Sequence, residues 1–127
     1  MTQKLFESVD QYVNNLLVDE DEALLATEAS IKEFNIPSIS ISPNQGKFLH
    51  ILAKLCGAKK ILEVGTLAGY STIWLARALP KDGRLITLEF DPKHAAVAQK
   101  NITHAGLNTI VEIRIGKALD TLPQLEK

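Results

Sequence analysis

The sequence predicts an α/β fold, with a parallel sheet that carries helices on both faces. Three short apolar segments, 60–64, 84–89 and 110–115, alternate with segments of helical periodicity from Lys60 onward. This alternation is typical of parallel strands joined by right-handed crossovers. The 127 residues, 46% of them apolar and 23% charged, fit one compact domain. We expect the strand order 3-2-1, with one edge of the first strand exposed or covered by another chain.

Two helices are predicted ahead of the sheet. The first spans about residues 4–17, because apolar residues recur there at helical spacing: Leu5, Val9, Val13 or Tyr12, and Leu16. Tyr12 would face either the core or a partner subunit. The acidic cluster 19–22 fits the first turn of a second helix that runs to about Phe34, since carboxylates favour the positive end of the helix dipole.

A third helix has clear start and stop signals. Residues 36–42 alternate Ile with Ser and predict an extended loop. Ser42 then fits the N-cap, Pro43 the first helical position and Gln45 the third, which together form a capping box. Gly57 fits the position just after the helix.

The remaining helices alternate with the strands. One helix, 71–79, stops before Pro80, and Asp91 is the N-cap of another that closes at Gly106. A last helix is predicted at 118–125, where leucines recur at helical spacing.

Composition and charge exclude several classes of function. The net charge is −1 and the basic residues are dispersed, so the sequence has no nucleic-acid footprint. No apolar run approaches the roughly 20 residues that span a bilayer, and the first residues are charged where a signal peptide is apolar. The single cysteine, Cys56, lies among apolar residues and is expected to be buried and inert. These features favour a cytoplasmic protein without membrane contact.

A glycine-containing turn after the first strand is the main candidate site. In ILEVGTLAGYS, residues 61–71, Gly65 and Gly69 let the backbone approach a ligand, and Ser71 lies near a helix start that suits an anion. The spacing Glu-x-Gly-x-x-x-Gly lacks the central glycine of dinucleotide-binding turns, which disfavours a pyrophosphate and favours a smaller carboxylate. The alternative is that both glycines merely form a tight turn.

Glu89 ends the second strand and is the second candidate. A carboxylate at this position can accept two hydrogen bonds from a ribose diol; the alternative is a solvated surface charge. Ligands bind beyond the carboxyl ends of parallel strands. This rule gathers three segments around one site: 63–70, 89–91 and 116–118.

At this point the sequence resembles a known family. The stretch ILEVGTLAGYSTIWLARALPKDGRLITLEFDP is similar to the caffeoyl-CoA/catechol O-methyltransferase-like family (family 3), which uses S-adenosylmethionine. The similarity continues upstream through SPNQGKFLHILAKLCGAKK and downstream through AGLNTIVEIRIGKALDTLPQL, over about residues 36–125. It implies a Rossmann-like, class I methyltransferase fold, with N-terminal helices at 1–35 and a cofactor-binding half-domain at 36–127.

The resemblance also implies a role for each candidate residue. Glu63 would anchor the turn and face the sulfonium, Ser71 would bind the methionine carboxylate, and Glu89 would hold the ribose hydroxyls. The other implied cofactor contacts are Gly65, Thr66, Gly69 and Tyr70 in the turn, Phe90 against adenine, Ala118 at the adenine edge and Ile41 on the methionine part. A small phenolic acceptor and a homodimer are also implied.

Members of that family continue with an Asp-x-Asp-Lys-like strand end and an Asp-Asn pair, which supply ligands for a divalent, magnesium-like cation and a basic group. This sequence ends at Lys127, so we expect a truncated chain without catalytic or metal-binding residues of its own. His50, His94 and His104 complete no ligand set and are interpreted as surface or core residues. Trp74 is interpreted as core rather than as a substrate platform.

The leading interpretation is therefore the cofactor-binding part of an O-methyltransferase that acts on catechol-like or caffeoyl-type molecules. We expect the 127 residues alone to have negligible activity. Two alternatives stay open at this point. One is a Rossmann-like oxidoreductase domain, against which the missing central glycine counts, and the other is a non-catalytic module that only binds the cofactor.

Overall fold

The computed structural model describes residues 2–126 and contains a three-stranded sheet with helices around it. The elements, in chain order, are α1 (Gln3–Leu17), α2 (Glu22–Glu33), α3 (Pro43–Leu55), β1 (Lys60–Val64), α4 (Tyr70–Ala76), β2 (Arg84–Glu89), α5 (Pro92–His104), β3 (Val111–Ile115), α6 (Ala118–Thr121) and a 3-10 turn (Leu122–Leu125). Within 2–126, every helix is too short or too polar to cross a bilayer.

The three strands are parallel and follow the predicted order, with β2 between β1 and β3. α4 and α5 pack on one face of the sheet. Leu125 of the 3-10 turn lines a cavity with Leu62 and Ile86, whose side chains point to the opposite face, so helical segments flank both faces, as predicted. Among the described residues β1 pairs with β2 on one side alone, so its other edge is free, as predicted. The side chains of Leu62 and Val64, which point to the same face of the sheet, are about half exposed or more. The register pairs Glu63 with Thr87, which sets up the polar contacts described below.

The main core lies between the sheet and α4–α5. It is built from Leu24, Tyr70, Ile73, Trp74, Ala76, Leu85, Ala98, Ile102, Leu107 and Val111. Trp74 is buried in it, which confirms the core interpretation. A Cβ on Gly46 would lie 2.3 Å from Cδ1 of Trp74, so α3 can approach α4 this closely only because residue 46 is glycine.

The capping signals of α3 are confirmed. The Gln45 amide N donates to the Ser42 hydroxyl, and the Gln45 side chain accepts from the Ser42 amide N at 2.9 Å. Gly57 has φ +60°, and the Ala58 amide donates to the Ala53 carbonyl, which closes the helix end. These caps fix where the preceding loop, residues 36–42, meets the body of the fold.

Two helices are shorter than predicted. α4 ends at Ala76 rather than Leu79, because the next amides bond three residues back and the residue before Pro80 disfavours the helical region. The last helix changes into a 3-10 turn at Leu122, since Pro123 has no N–H with which to continue an α-helix.

The prediction that Cys56 is buried is wrong, because its side chain is exposed. α3 turns Gly46 and Ala53 toward the core, and the apolar residues near its C-terminal end lie on its outer side. The side chain of Tyr12 on α1 is 67% exposed. Of the two predicted environments for this side chain, the core is therefore excluded.

Candidate functional site

The turn between β1 and α4 holds an unusual backbone conformation. Gly65 and Gly69 have φ values of +94° and +90°, and Leu67, between them, has φ +53°. The left-handed region is unfavourable for a residue with a Cβ, so Leu67 persists there only because other contacts fix the turn. One of these contacts is the bond from the Gly69 amide to the Thr66 carbonyl at 2.9 Å.

Glu89 supplies further contacts that fix this turn. Its Oε2 accepts from the amide N atoms of Thr66 at 3.1 Å and Leu67 at 2.7 Å, and its Oε1 accepts from the amide N of Asp91 at 3.0 Å. The Glu89 residue is only 7% exposed. The alternative of a solvated surface carboxylate is therefore wrong: the strand end points this side chain into the turn, where three orphan amides need an acceptor.

Glu63, the next-to-last residue of β1, lies opposite Thr87 in the sheet and accepts hydrogen bonds from three side-chain hydroxyl groups. Ser71 Oγ lies 2.7 Å from its Oε2, and Thr72 Oγ1 and Thr87 Oγ1 lie 2.5 and 2.7 Å from its Oε1. Burial raises the pKa of the Glu63 carboxyl above its usual value, and the three hydroxyl donors oppose this rise only in part.

Two residues of the turn have side chains engaged differently from what the resemblance implies. The Ser71 hydroxyl donates to Glu63, so a bond from it to a methionine carboxylate requires that proton to be redirected. Tyr70 is buried in the core, where its hydroxyl donates to Glu20 at 2.7 Å and burial raises its pKa. The expectation that the Tyr70 side chain contacts a ligand is therefore wrong. The side chain belongs to the core, and only the backbone of Tyr70 belongs to the turn.

The remaining predicted residues lie at the ends of the other strands or in the loop before α3. Phe90 is 67% exposed directly after β2. Ala118 begins α6, and the bond from the Gly116 amide to the Glu89 carbonyl holds its loop beside β2. Ile41 packs partly against the core and also lines a cavity of about 510 Å³ between α2 and the loop before α3.

Sequence reasoning missed Asn101, which braces the turn from α5. Its Nδ2 donates to the Ala68 carbonyl at 2.8 Å and to the Ser30 hydroxyl at 2.9 Å, and the residue is 8% exposed. The sequence contained one indication of this role: Asn101 is a polar residue at helical spacing from the apolar Ala98 and adjacent to Ile102.

The histidines differ in their surroundings. His50 Nδ1 lies 3.0 Å from the Trp74 carbonyl oxygen, whereas His104 is half exposed at the end of α5. His94 lies beside the Glu89 carboxylate. In the described part of the chain, no group of three His, Cys, Asp or Glu side chains is placed to hold a metal ion.

Comparison with known proteins identifies relatives of this chain. A family model described as O-methyltransferase matches residues 15–127. A catechol O-methyltransferase of Niastella koreensis is 69% identical over 125 residues, which cover 98% of this chain and 57% of that protein.

Two solved structures are similar to the whole fold. The O-methyltransferase TomG of Streptomyces achromogenes, in complex with SAM, has a TM-score of 0.95 and 49% identity over 100% of this chain and 57% of that one. An O-methyltransferase of Bacillus cereus, in complex with SAH, has a TM-score of 0.91 and 50% identity over 94% and 54%. The chain thus spans about half the length of the relatives it matches.

Proposed function

Because this chain belongs to the O-methyltransferase family, we propose that it is the cofactor-binding part of an S-adenosylmethionine-dependent O-methyltransferase. The observation that carries the proposal is a pair of carboxylates at one strained turn, of which Glu89 is buried and Glu63 is partly buried. Glu63 and Glu89 lie at the carboxyl ends of adjacent parallel strands, where ligands of such sheets bind. The oxidoreductase alternative has no support from this family membership.

The residues of the site match the chemical parts of that cofactor. S-adenosylmethionine supplies a methyl group on a cationic sulfur. Glu63 offers a negative charge that burial makes unfavourable without a cation. Oε1 of Glu89 keeps acceptor capacity for a ribose hydroxyl, since only one amide donates to it. The exposed Phe90 offers apolar surface to adenine.

For the whole protein we propose that the acceptor is a small phenol, of the catechol or caffeoyl type. The support is the family and the catechol O-methyltransferase name of a 69% identical relative. The divalent cation expected for the family has no matching ligand set among residues 2–126, so no step through it is derived. A cytoplasmic location and the division into 1–35 and 36–127 remain part of this proposal.

We expect the chain to bind S-adenosylhomocysteine with a micromolar dissociation constant, measured by isothermal titration calorimetry. NADH and ATP are the control ligands, because both carry adenine and ribose but also phosphates. Saturable binding of S-adenosylhomocysteine alone supports the proposal. Equal affinity for all three compounds contradicts it, and so does the absence of any binding by the folded chain.

We also propose that the chain associates as a homodimer through α1. Four side chains on this helix are spaced by 4, 3 and 4 residues and are all about half exposed or more: Leu5, Val9, Tyr12 and Leu16. This spacing is typical of helices that pair along a narrow seam. The charged residues of α1, Lys4, Glu7 and Asp10, lie off that line, so two copies meet without like-charge repulsion.

Replacing Val9 with aspartate is expected to weaken this dimer at least tenfold, because it places like charges on the paired seam. Sedimentation equilibrium measures the dissociation constant. Gln11→Asp adds the same charge on another side of α1 and is expected to leave association unchanged. A monomeric parent chain, or equal effects of the two substitutions, contradicts the seam.

A further inference from the structure

His94 occupies a place at the candidate site that the predicted roles do not use. It lies in the first turn of α5 with its side chain 18% exposed. Nδ1 is 3.7 Å from Oε1 of Glu89, and Nε2 is 3.6 Å from Oδ2 of Asp91. The imidazole is therefore held between two carboxylates, one of which belongs to the site.

The two oxygens of Glu89 differ in what they can still accept. Oε2 already receives two amide donors, from Thr66 and Leu67, whereas Oε1 receives one, from Asp91. A carboxylate oxygen has about two lone-pair sites. Oε1 is thus the oxygen with a free site for a ligand hydroxyl, and it is the oxygen that His94 faces.

The distribution of basic side chains around Glu89 also favours a role for His94. Among the ion pairs of residues 2–126, none joins Glu89 to a lysine or arginine, and His94 is its one basic partner. At 3.7 Å the ring is too far from Oε1 to form a hydrogen bond, so it limits the position of the oxygen without occupying the free site.

His94 is itself fixed on its far side. Asp91 Oδ1 accepts from the Lys93 amide N at 2.7 Å, which caps α5 and sets the Asp91 carboxylate in place. The Asp91 amide N also donates to Oε1 of Glu89 at 3.0 Å. Glu89, Asp91 and His94 therefore contact one another in a closed arrangement, and each side chain restricts the positions of the other two.

We propose that His94 is a positioning residue that keeps Oε1 of Glu89 directed at a ribose hydroxyl of the bound cofactor. The inference rests on the proposed function. In this role, His94 strengthens binding of ligands that carry the ribose hydroxyls and contributes little to the affinity for other ligands or to folding. Its loss should therefore matter only when the ligand carries the hydroxyl that Glu89 accepts.

The test compares S-adenosylhomocysteine with its 2′,3′-dideoxy analogue, which lacks both ribose hydroxyls, by calorimetry. His94→Ala is expected to weaken binding of S-adenosylhomocysteine about tenfold, the scale of one weakened hydrogen bond to a charged acceptor, and to change binding of the analogue less than twofold. His94→Asn, whose amide N can replace Nδ1, is expected to restore most of the difference. His104→Ala, on the same helix away from the site, is the control with no expected change.

The outcomes separate the two proposals. Equal losses for both ligands, or no loss for either, overturn the positioning role while the proposed function stands. If the parent chain does not bind S-adenosylhomocysteine, the proposed function and this inference are overturned together. Thermal unfolding of each variant identifies a merely structural effect, which would lower the midpoint and would not be rescued selectively by asparagine.

Discussion

Glu89→Ala is expected to weaken binding of S-adenosylhomocysteine at least tenfold and to lower the free energy of unfolding by about 2–4 kcal/mol. The loss of affinity follows from the proposed role of Oε1 toward the ribose. The loss of stability follows from the turn, because the amides of Thr66 and Leu67 lose their acceptor and Leu67 stays at φ +53° without support. Calorimetry and urea unfolding measure the two effects.

Glu89→Gln distinguishes these effects. The glutamine oxygen can still accept both turn amides, but its NH₂ group then faces the Asp91 amide and has no acceptor to offer a hydroxyl. We expect most of the affinity to be lost and the loss of stability to be smaller than in Glu89→Ala, because the two turn amides keep their acceptor while the Asp91 amide loses its own. Glu112→Ala removes a strand carboxylate whose partners are Arg84 and Arg114 near the surface, and it should change stability by about 1 kcal/mol or less. Unchanged affinity in both Glu89 variants would contradict the proposed role.

This expectation differs from what the sequence alone predicts for Glu89. A strand-end carboxylate next to a glycine turn indicates a ligand contact, but the sequence does not show that the same side chain supports the turn. That support depends on backbone amides 22 and 23 residues earlier in the chain. Their direction is set by the left-handed Leu67, a conformation for which leucine carries no local signal.

Local signals explain the parts of the fold that could be predicted. The strands at 60–64 and 84–89 have the predicted bounds, because apolar runs between turn residues are short-range information. The N-cap at Ser42 was equally predictable, since capping box and proline act within one turn. Pro123 was visible too, and its missing N–H explains why the last helix tightens.

Contacts distant in sequence account for what was missed. Asn101 meets Ser30, 71 residues away, and no periodicity connects these two positions. His94 could be placed in a first helical turn, but not next to Glu89, because that depends on how α5 leaves the strand. The exposure of Cys56 likewise depends on which side of α3 meets α4.

The second large effect is expected at Glu63, whose burial disfavours its charged form. The pKa of this carboxyl is raised in the folded chain, so between its unfolded and folded pKa values the folded state binds more protons. The stability that Glu63 contributes is therefore fully present below the unfolded pKa and is lost as the pH rises through the folded pKa. Glu63→Gln cannot titrate and should remove this part of the pH dependence.

Urea unfolding of both chains from pH 4 to pH 8 measures this difference. We expect Glu63→Gln to gain stability relative to the parent as the pH rises, and then to keep a constant difference. The amide oxygen can still accept the Thr72 and Thr87 hydroxyls, and the Ser71 hydroxyl can turn to accept from the NH₂ group. A pH-independent difference would show that the Glu63 carboxylate is not disfavoured by burial.

Under the proposed function, a cationic ligand would stabilise the charged form of the Glu63 carboxyl, which burial disfavours. S-adenosylmethionine carries a cationic sulfur, whereas S-adenosylhomocysteine does not. Glu63→Gln is therefore expected to lower the ratio of affinities for the charged over the neutral compound about tenfold, or about 1.4 kcal/mol. Thr72→Val, which removes one hydroxyl donor to Glu63 but keeps its charge, is the matched control and should leave the ratio nearly unchanged. An unchanged ratio in Glu63→Gln would place the sulfonium away from Glu63, while binding of both compounds would still support the cofactor site.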